Sequence, residues 1–263
     1  MSTATNLPFD VSGTPLSAWQ ASTALARTPA MDLEALVPAG TRLVVLAPHP
    51  DDEVLACGGL VAALHGEGRE LVLISATDGD ASHPGSAAWP VERLREQRRL
   101  ESTRAMARLG WPAEQVEWHR LALPDGQLGT GEAALQACLA SLLRPGDRLL
   151  TTWRLDGHCD HEAAGRVAAR VAAQREAVLL EAPIWAWHWA TPEDARLPWP
   201  QAAKFELGPD ELASKRQAIL EHTSQLLSDP STLAPPILDE ATLSRLLQPF
   251  ELFFVTYPEG KPA

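Results

Sequence analysis

Short apolar runs recur along the chain, and each is followed by a longer stretch whose apolar residues return every third or fourth position. A continuous apolar run suits a strand buried on both faces, and the longer period suits a helix with one buried face. The runs at 42–47, 70–76, 116–121, 148–153 and 177–183 predict strands. Between and after them, 51–68, 89–109, 131–143 and 162–175 predict helices, with Leu55, Leu60, Val61 and Leu64 on one face of the first. The helix at 89–109 is rich in Arg and Glu, as a solvated face is, and Gly110 is placed to stop it. Further on, 202–207 reads as a sheet-edge strand, Pro209 opens a helix running to Leu226, and 251–257 reads as the last strand. Strand and helix alternate. The expected class is therefore α/β: Rossmann-like, with a mainly parallel sheet, helices on both faces and an active site at the C-terminal edge of the strands.

Residues 1–40 fall outside this alternation. Short helices are expected at 17–27 and 31–36, with Pro8, Pro15, Pro29 and Pro38 interrupting the rest. The 263 residues suffice for one large α/β domain, and no Ser/Gly-rich linker or charge block divides them. The expected organisation is one domain over 1–263. An extension at 1–40 packs over the sheet or a neighbouring subunit, a core occupies 41–225, and a C-terminal segment at 226–263 carries the final strand.

Composition narrows the function classes. The formal net charge of −12 argues against nucleic acid or an anionic membrane as partner and suits a small neutral or locally cationic substrate. Many cytoplasmic proteins are acidic, so charge alone selects no substrate. No stretch approaches the ~20 consecutive apolar residues of a membrane helix. Residues 1–10 lack the charged start and apolar core of a signal peptide. Cys57, Cys138 and Cys159 are the only cysteines, with no paired spacing, so a reducing cytoplasm is expected rather than a disulfide frame.

The chemistry gathers at two strand ends. The first strand runs into Pro48-His49-Pro50-Asp51-Asp52-Glu53. Helix capping would explain one of these aspartates, not the whole set. The strand at 148–153 is followed by Asp156-Gly157-His158-Cys159-Asp160-His161. Capping would again explain Asp160 but not two histidines three apart. Ligands bind at such carboxyl edges in open α/β sheets. The simplest metal set is His49 and Asp52 with His161, three protein ligands that leave a position open for water, as catalytic zinc requires. Two His and one Asp also suit Fe(II). Cys159 is expected to point away, because its neighbours on both sides face the metal region. Gly58-Gly59 is no dinucleotide fingerprint, since no Gly-x-Gly-x-x-Gly follows the first strand.

The two motifs together resemble those of the LmbE-like, or PIG-L-type, zinc-dependent N-deacetylases. Further landmarks agree in order from 41 to 225: Thr77-Asp78-Gly79, Arg98-Arg99-Leu100-Glu101, Leu123-Pro124-Asp125-Gly126, Lys215 and His222-Thr223-Ser224-Gln225. The resemblance implies zinc held by His49, Asp52 and His161, with Asp51 as general base. It implies that His158 stabilises the tetrahedral intermediate, that Asp160 holds and tunes His158, and that Arg98 contacts substrate. The implied reaction removes an N-acetyl or other N-acyl group from an amino sugar or its conjugate, of the N-acetylglucosamine type, through attack of zinc-activated water on the amide carbonyl. The chain departs from relatives at Cys159, often Pro, and at Asp156, where some carry Tyr.

Candidate substrate-binding residues are Arg98, Asp125, Trp185, Trp187, His222 and Gln225. Trp185, Trp187 and Trp189 alternate around His188. That reads as period-two burial, as a subunit contact, or as rings stacked on a sugar. Arg98 is expected on the rim with them, or paired with Glu101 or Glu92. His222 and Gln225, three apart, share a helical face. Two rival classes stand beside the hydrolase. A non-catalytic sugar- or nucleotide-binding Rossmann-like protein would not need the aligned His and Asp residues. A phosphoesterase more often pairs two metals, whereas these ligands serve one.

Overall fold

The computed structural model describes residues 13–260. Residues 1–12 of the expected extension and the last three of the C-terminal segment lie outside the described residues. Among these, seven strands form a sheet in the order β3-β2-β1-β4-β5-β7-β6. They are β1 (Arg42–Ala47), β2 (Glu70–Thr77), β3 (Glu117–Leu123), β4 (Arg148–Thr152), β5 (Val178–Ala182), β6 (Ala202–Glu206) and β7 (Phe250–Thr256). The first five pair in parallel, while β7 runs antiparallel to both β5 and β6. Helices α1 (Leu16–Gln20), α2 (Thr23–Arg27) and α3 (Leu33–Leu36) precede the sheet. Helices α4 (Asp52–Leu64), α5 (Val91–Arg108), α6 (Glu132–Leu142) and α7 (Cys159–Arg175) make the crossovers. The chain then adds α8 (Ala186–Trp189), α9 (Pro209–Ile219), α10 (Thr223–Leu226) and α11 (Glu240–Leu246).

Alternate residues of each buried strand feed two cores. Val45 and Leu73 pack with Leu60 of α4 and Phe253 on one face, whereas Val44 and Ile74 pack with Leu135 of α6 and Val167 of α7 on the other. This double burial is why the strands read as continuous apolar runs. The sheet grows from β1 towards β3 on one side and through β4 on the other, so the order reverses between β1 and β4. Their carboxyl ends form the switch-point crevice where ligands of such sheets bind.

Three helices differ from expectation. The 51–68 helix stops at Leu64, where Gly66 and Gly68 take positive φ. The 17–27 helix divides at Ser22, whose hydroxyl caps α2 by accepting the Leu25 N–H at 3.1 Å. The helix expected from Pro209 to Leu226 divides into α9 and α10. Residues 29–31 lie along the edge strand β6: the Met31 N–H donates to Lys204 O, and the Lys204 N–H donates to Pro29 O. No helix among the described residues is long and apolar enough to cross a membrane.

Candidate active site

His49 follows β1 and Asp52 opens α4, so the turn between them sets where the acidic residues point. Asp51 sits in that turn at φ 142°, a conformation side chains rarely adopt. Its carbonyl accepts the N–H groups of Val54 and Leu55, and its own N–H donates to Glu53 Oε2 at 3.0 Å. Arg98 comes across from α5. One terminal nitrogen donates to Pro50 O at 2.8 Å and to Asp51 Oδ2 at 3.1 Å, and the other donates to Gly79 O at 2.8 Å. Burial pushes the Asp51 carboxyl up to about 7, against the pull of Arg98 and with the help of the Asp52 charge.

The second cluster arrives with α7, for which His158 is the N-cap. Asp52 Oδ2 lies 3.1 Å from His49 Nδ1 and 3.3 Å from His161 Nε2. The remaining nitrogen of each ring is turned to a buried carboxylate. His161 Nδ1 is 2.7 Å from Asp156 Oδ2, and His49 Nε2 is 3.1 Å from Asp160 Oδ2 and 3.2 Å from Asp125 Oδ1. A carboxylate on one nitrogen fixes the tautomer and presents the other nitrogen's lone pair to a metal. Four-coordinate zinc with N and O ligands places neighbouring donors about 3.3 Å apart. The donor chemistry and the two spacings to Asp52 suit a divalent cation held by His49, Asp52 and His161; His49 and His161 also group with His158, the ligand atoms of these three lying within 4.8 Å of one another.

Charge in the cluster is balanced within it. Burial alone would lower the pKa of both rings. The Asp52 and Asp156 carboxylates instead raise His161 to about 9, and Asp125, Asp160 and Asp52 raise His49 well above its usual value. Asp52, buried against His161 and His49, is held well below the usual carboxylate range. His158 goes the other way: burial and the other two imidazoles take it down to about 3, so it is neutral. Its Nδ1 accepts the Asp160 N–H at 3.3 Å, which puts the ring proton on Nε2.

These groups open into a cavity of about 470 Å³. Asp51, Arg98, Asp125, His158 and Gln225 line it together with the apolar Leu55, Ile184, Trp185 and Leu238. Several expectations need correction. Arg98 is 3% exposed and clasps Asp51 and two backbone carbonyls; it is neither a free rim group nor paired with Glu101 or Glu92. Trp187 does not alternate outward from a strand. It lies in α8, 6% exposed, with its ring edge-on to Trp19 at 4.7 Å. His222 precedes α10 rather than sharing a helical face with Gln225, and at 1% exposure it does not line the cavity. The Asp160 carboxylate holds His49 and the N–H groups of Gly126 and Leu128, and meets His158 only through its own backbone. Asp125 likewise turns its carboxylate to His49 and the Ala81 N–H. Cys159 points into the cavity, not away from it.

Asp156 was named from the sequence only as a departure from relatives, with no role in the site. Besides His161 it accepts the N–H groups of Ile184, Trp185 and Ala186, so one buried side chain orients a ring and caps α8. Its place five residues before His161 was the available signal.

Comparison with known proteins bears on the family and the fold. A model of the PIG-L family, described as GlcNAc-PI de-N-acetylase, matches residues 44–172. Residues 44–172 of the chain carry a PIG-L domain. The chain is 26% identical to a 1D-myo-inositol 2-acetamido-2-deoxy-alpha-D-glucopyranoside deacetylase of Tsukamurella paurometabola, over 76% of this chain and 90% of that one. A deacetylase of the same description from Catenulispora acidiphila is 32% identical over 51% of this chain and 49% of its own. The N,N'-diacetylchitobiose deacetylase of Pyrococcus horikoshii superposes with a TM-score of 0.63 at 17% identity, covering 86% of this chain and 88% of that one; that likeness is one of fold.

Proposed function

We propose that this PIG-L domain protein is a metal-dependent N-deacetylase acting on a 2-acetamido sugar carried on a glycoside. The observation that carries the reading is the pair of imidazoles, His49 and His161, each with one nitrogen held by a buried carboxylate and the other turned to Asp52 Oδ2. His49, Asp52 and His161 would hold the cation, and such a set takes zinc or Fe(II). When bound, the cation polarises the amide carbonyl and brings the pKa of a water to about 7.

The remaining chemistry belongs to the chain. Asp51, next to the ligand Asp52, takes a proton from the attacking water at its carboxylate, and Arg98 fixes the direction of that carboxylate. His158, neutral with its proton on Nε2, donates to the carbonyl oxygen as charge develops there. Asp51, now protonated and with a pKa near 7, returns the proton to the leaving nitrogen. The products are acetate and a free amino sugar.

The substrate class follows from the cavity and from the relatives' substrates, which are N-acetylglucosaminyl inositols. The cavity lining mixes polar side chains with apolar ones, Trp185 among them, as a sugar with hydroxyl edges and a flat carbon face requires. The test is amine release from a panel of α- and β-linked N-acetylglucosaminides by metal-loaded protein, with Asp51→Asn as control. Release from no member of the panel by protein carrying one equivalent of metal would overturn the reading.

A further inference from the structure

We propose a second, softer cation site at the mouth of the same cavity, built from the imidazole of His158, the thiol of Cys159 and the carboxylate of Asp160. One ligand atom from each of these three residues lies within 4.8 Å of the other two. The set shares no donor with His49, Asp52 and His161. Cys159 Sγ stands 3.6 Å from Asp160 Oδ1 and 3.5 Å from Gly126 O. Four-coordinate zinc, with sulfur and oxygen ligands at their usual lengths, separates the two by about 3.5 Å. Two oxygens are therefore already at the required distance from the sulfur. The third donor is the His158 imidazole: its Nδ1 lone pair accepts the Asp160 N–H at a long 3.3 Å, and an ion takes that lone pair in its place while the ring proton stays on Nε2.

The site has the accessibility and the rigidity that binding needs. Cys159 is exposed and lines the cavity, so an ion reaches it from solvent. Asp160 is buried and pinned by the Gly126 and Leu128 N–H groups, so the carboxylate does not swing away. A thiolate selects soft or borderline ions, such as zinc, cobalt or cadmium, over magnesium or calcium. Ligation displaces the thiol proton to solvent, so each ion bound releases one proton from sulfur. The consequence for turnover rests on the deacetylase reading, although the site itself does not. An ion here engages His158 and withdraws it from the substrate carbonyl, so excess zinc inhibits.

The test is a cobalt(II) titration of metal-stripped protein, comparing wild type with Cys159→Ser and His161→Ala. Wild type should take two equivalents, the second accompanied by thiolate-to-cobalt charge-transfer absorption. Cys159→Ser should take one equivalent without that absorption. His161→Ala should keep the absorption while losing the tighter equivalent. Absence of the absorption in saturated wild type, or two equivalents retained by Cys159→Ser, would overturn the proposal. A parallel assay distinguishes it from the functional reading. Excess zinc should inhibit wild-type amine release at least tenfold more strongly than that of Cys159→Ser. If the absorption appears but no sugar is deacetylated, the site stands and the deacetylase reading falls.

Discussion

Asp51 shows what a single position is made to bear. Holding a non-glycine residue at such a φ costs of order 1–3 kcal/mol, and it persists only where the surroundings fix it. Here Glu53 takes its N–H, two helix N–H groups take its carbonyl, and Arg98 takes its carboxylate. Asp51→Asn should keep one metal per chain while kcat falls by about 10²–10⁴, the usual cost of losing a general base. Metal analysis with turnover on one N-acetylglucosaminide checks this, and turnover within a factor of about two of wild type removes Asp51 from that role. In the proposed mechanism Arg98 acts on the base, Asp51, whose carboxylate it holds, and not on a distant part of the substrate. Arg98→Met should therefore lower kcat/KM alike for a large glycoside and for a minimal acetamide. A loss confined to the large substrate would restore Arg98 to the rim. The cluster at His49, Asp51, Asp52 and His161 was legible because it is local: donors at strand ends in short, unusual strings. Arg98, Asp156 and Asp160 were misread or missed because their partners are chosen by tertiary approach. Arg98 reaches back 47 positions to Asp51, and Asp160 reaches 111 to His49.

At the level of elements, α4 is the informative case. Its apolar spacing predicted one helix, but Cys57 has φ −149° and the helix breaks there. The freed groups are collected from outside. Glu251 of β7 accepts the Gly59 and Leu60 N–H groups at 2.7 and 2.8 Å, and Lys215 of α9 donates to Leu55 O at 3.0 Å and to Glu251 at 2.7 Å. A Cβ on Gly59 would come within 2.3 Å of the Leu207 side chain, so the glycine permits the close approach. The break separates the half-helix that begins at Asp52 from the half that fills the core. Glu251→Leu leaves Lys215 charged and unpaired in the interior, together with two unpaired N–H groups. It should cost about 3–5 kcal/mol in chemical denaturation, and a cost below about 1 kcal/mol would show that the pair is replaceable. Strands were legible because burial on both faces leaves an unbroken apolar run. The antiparallel entry of β7 between β5 and β6 was not, because strand order is decided by packing far along the chain. Trp185–Trp189 was misread for a simpler reason. Period two appears by chance in a segment that Asp156 caps into a helical turn.

For the whole molecule, the site concentrates ionisable groups between two apolar cores, so folding and protonation are linked. His222 gives the clearest handle. It is 1% exposed and neither ring nitrogen has a hydrogen-bonding partner among the described residues, and burial together with the nearby Arg98 charge takes its pKa down to about 3. In the unfolded chain the same ring titrates near 6.5. Between these values the unfolded state binds the additional proton, so this group's contribution makes stability rise with pH there and fall as pH drops from about 6.5 towards 3. Asp51 acts with the opposite sign. Its folded value near 7 means that the folded state binds the additional proton above the unfolded carboxylate value, so its contribution falls as pH rises across the same range. The two partly cancel in the wild type, and neither is readable from one stability curve. The difference between wild type and His222→Phe isolates the imidazole. Between pH 5 and 6.5 the stability of wild type minus that of the variant should increase with pH, with a slope of at most about 1.4 kcal/mol per pH unit. Urea denaturation of both proteins at three pH values in that window provides the measurement. Parallel curves would mean that the buried ring titrates as it does in water, and that a hydrogen-bonding partner reaches it in solution.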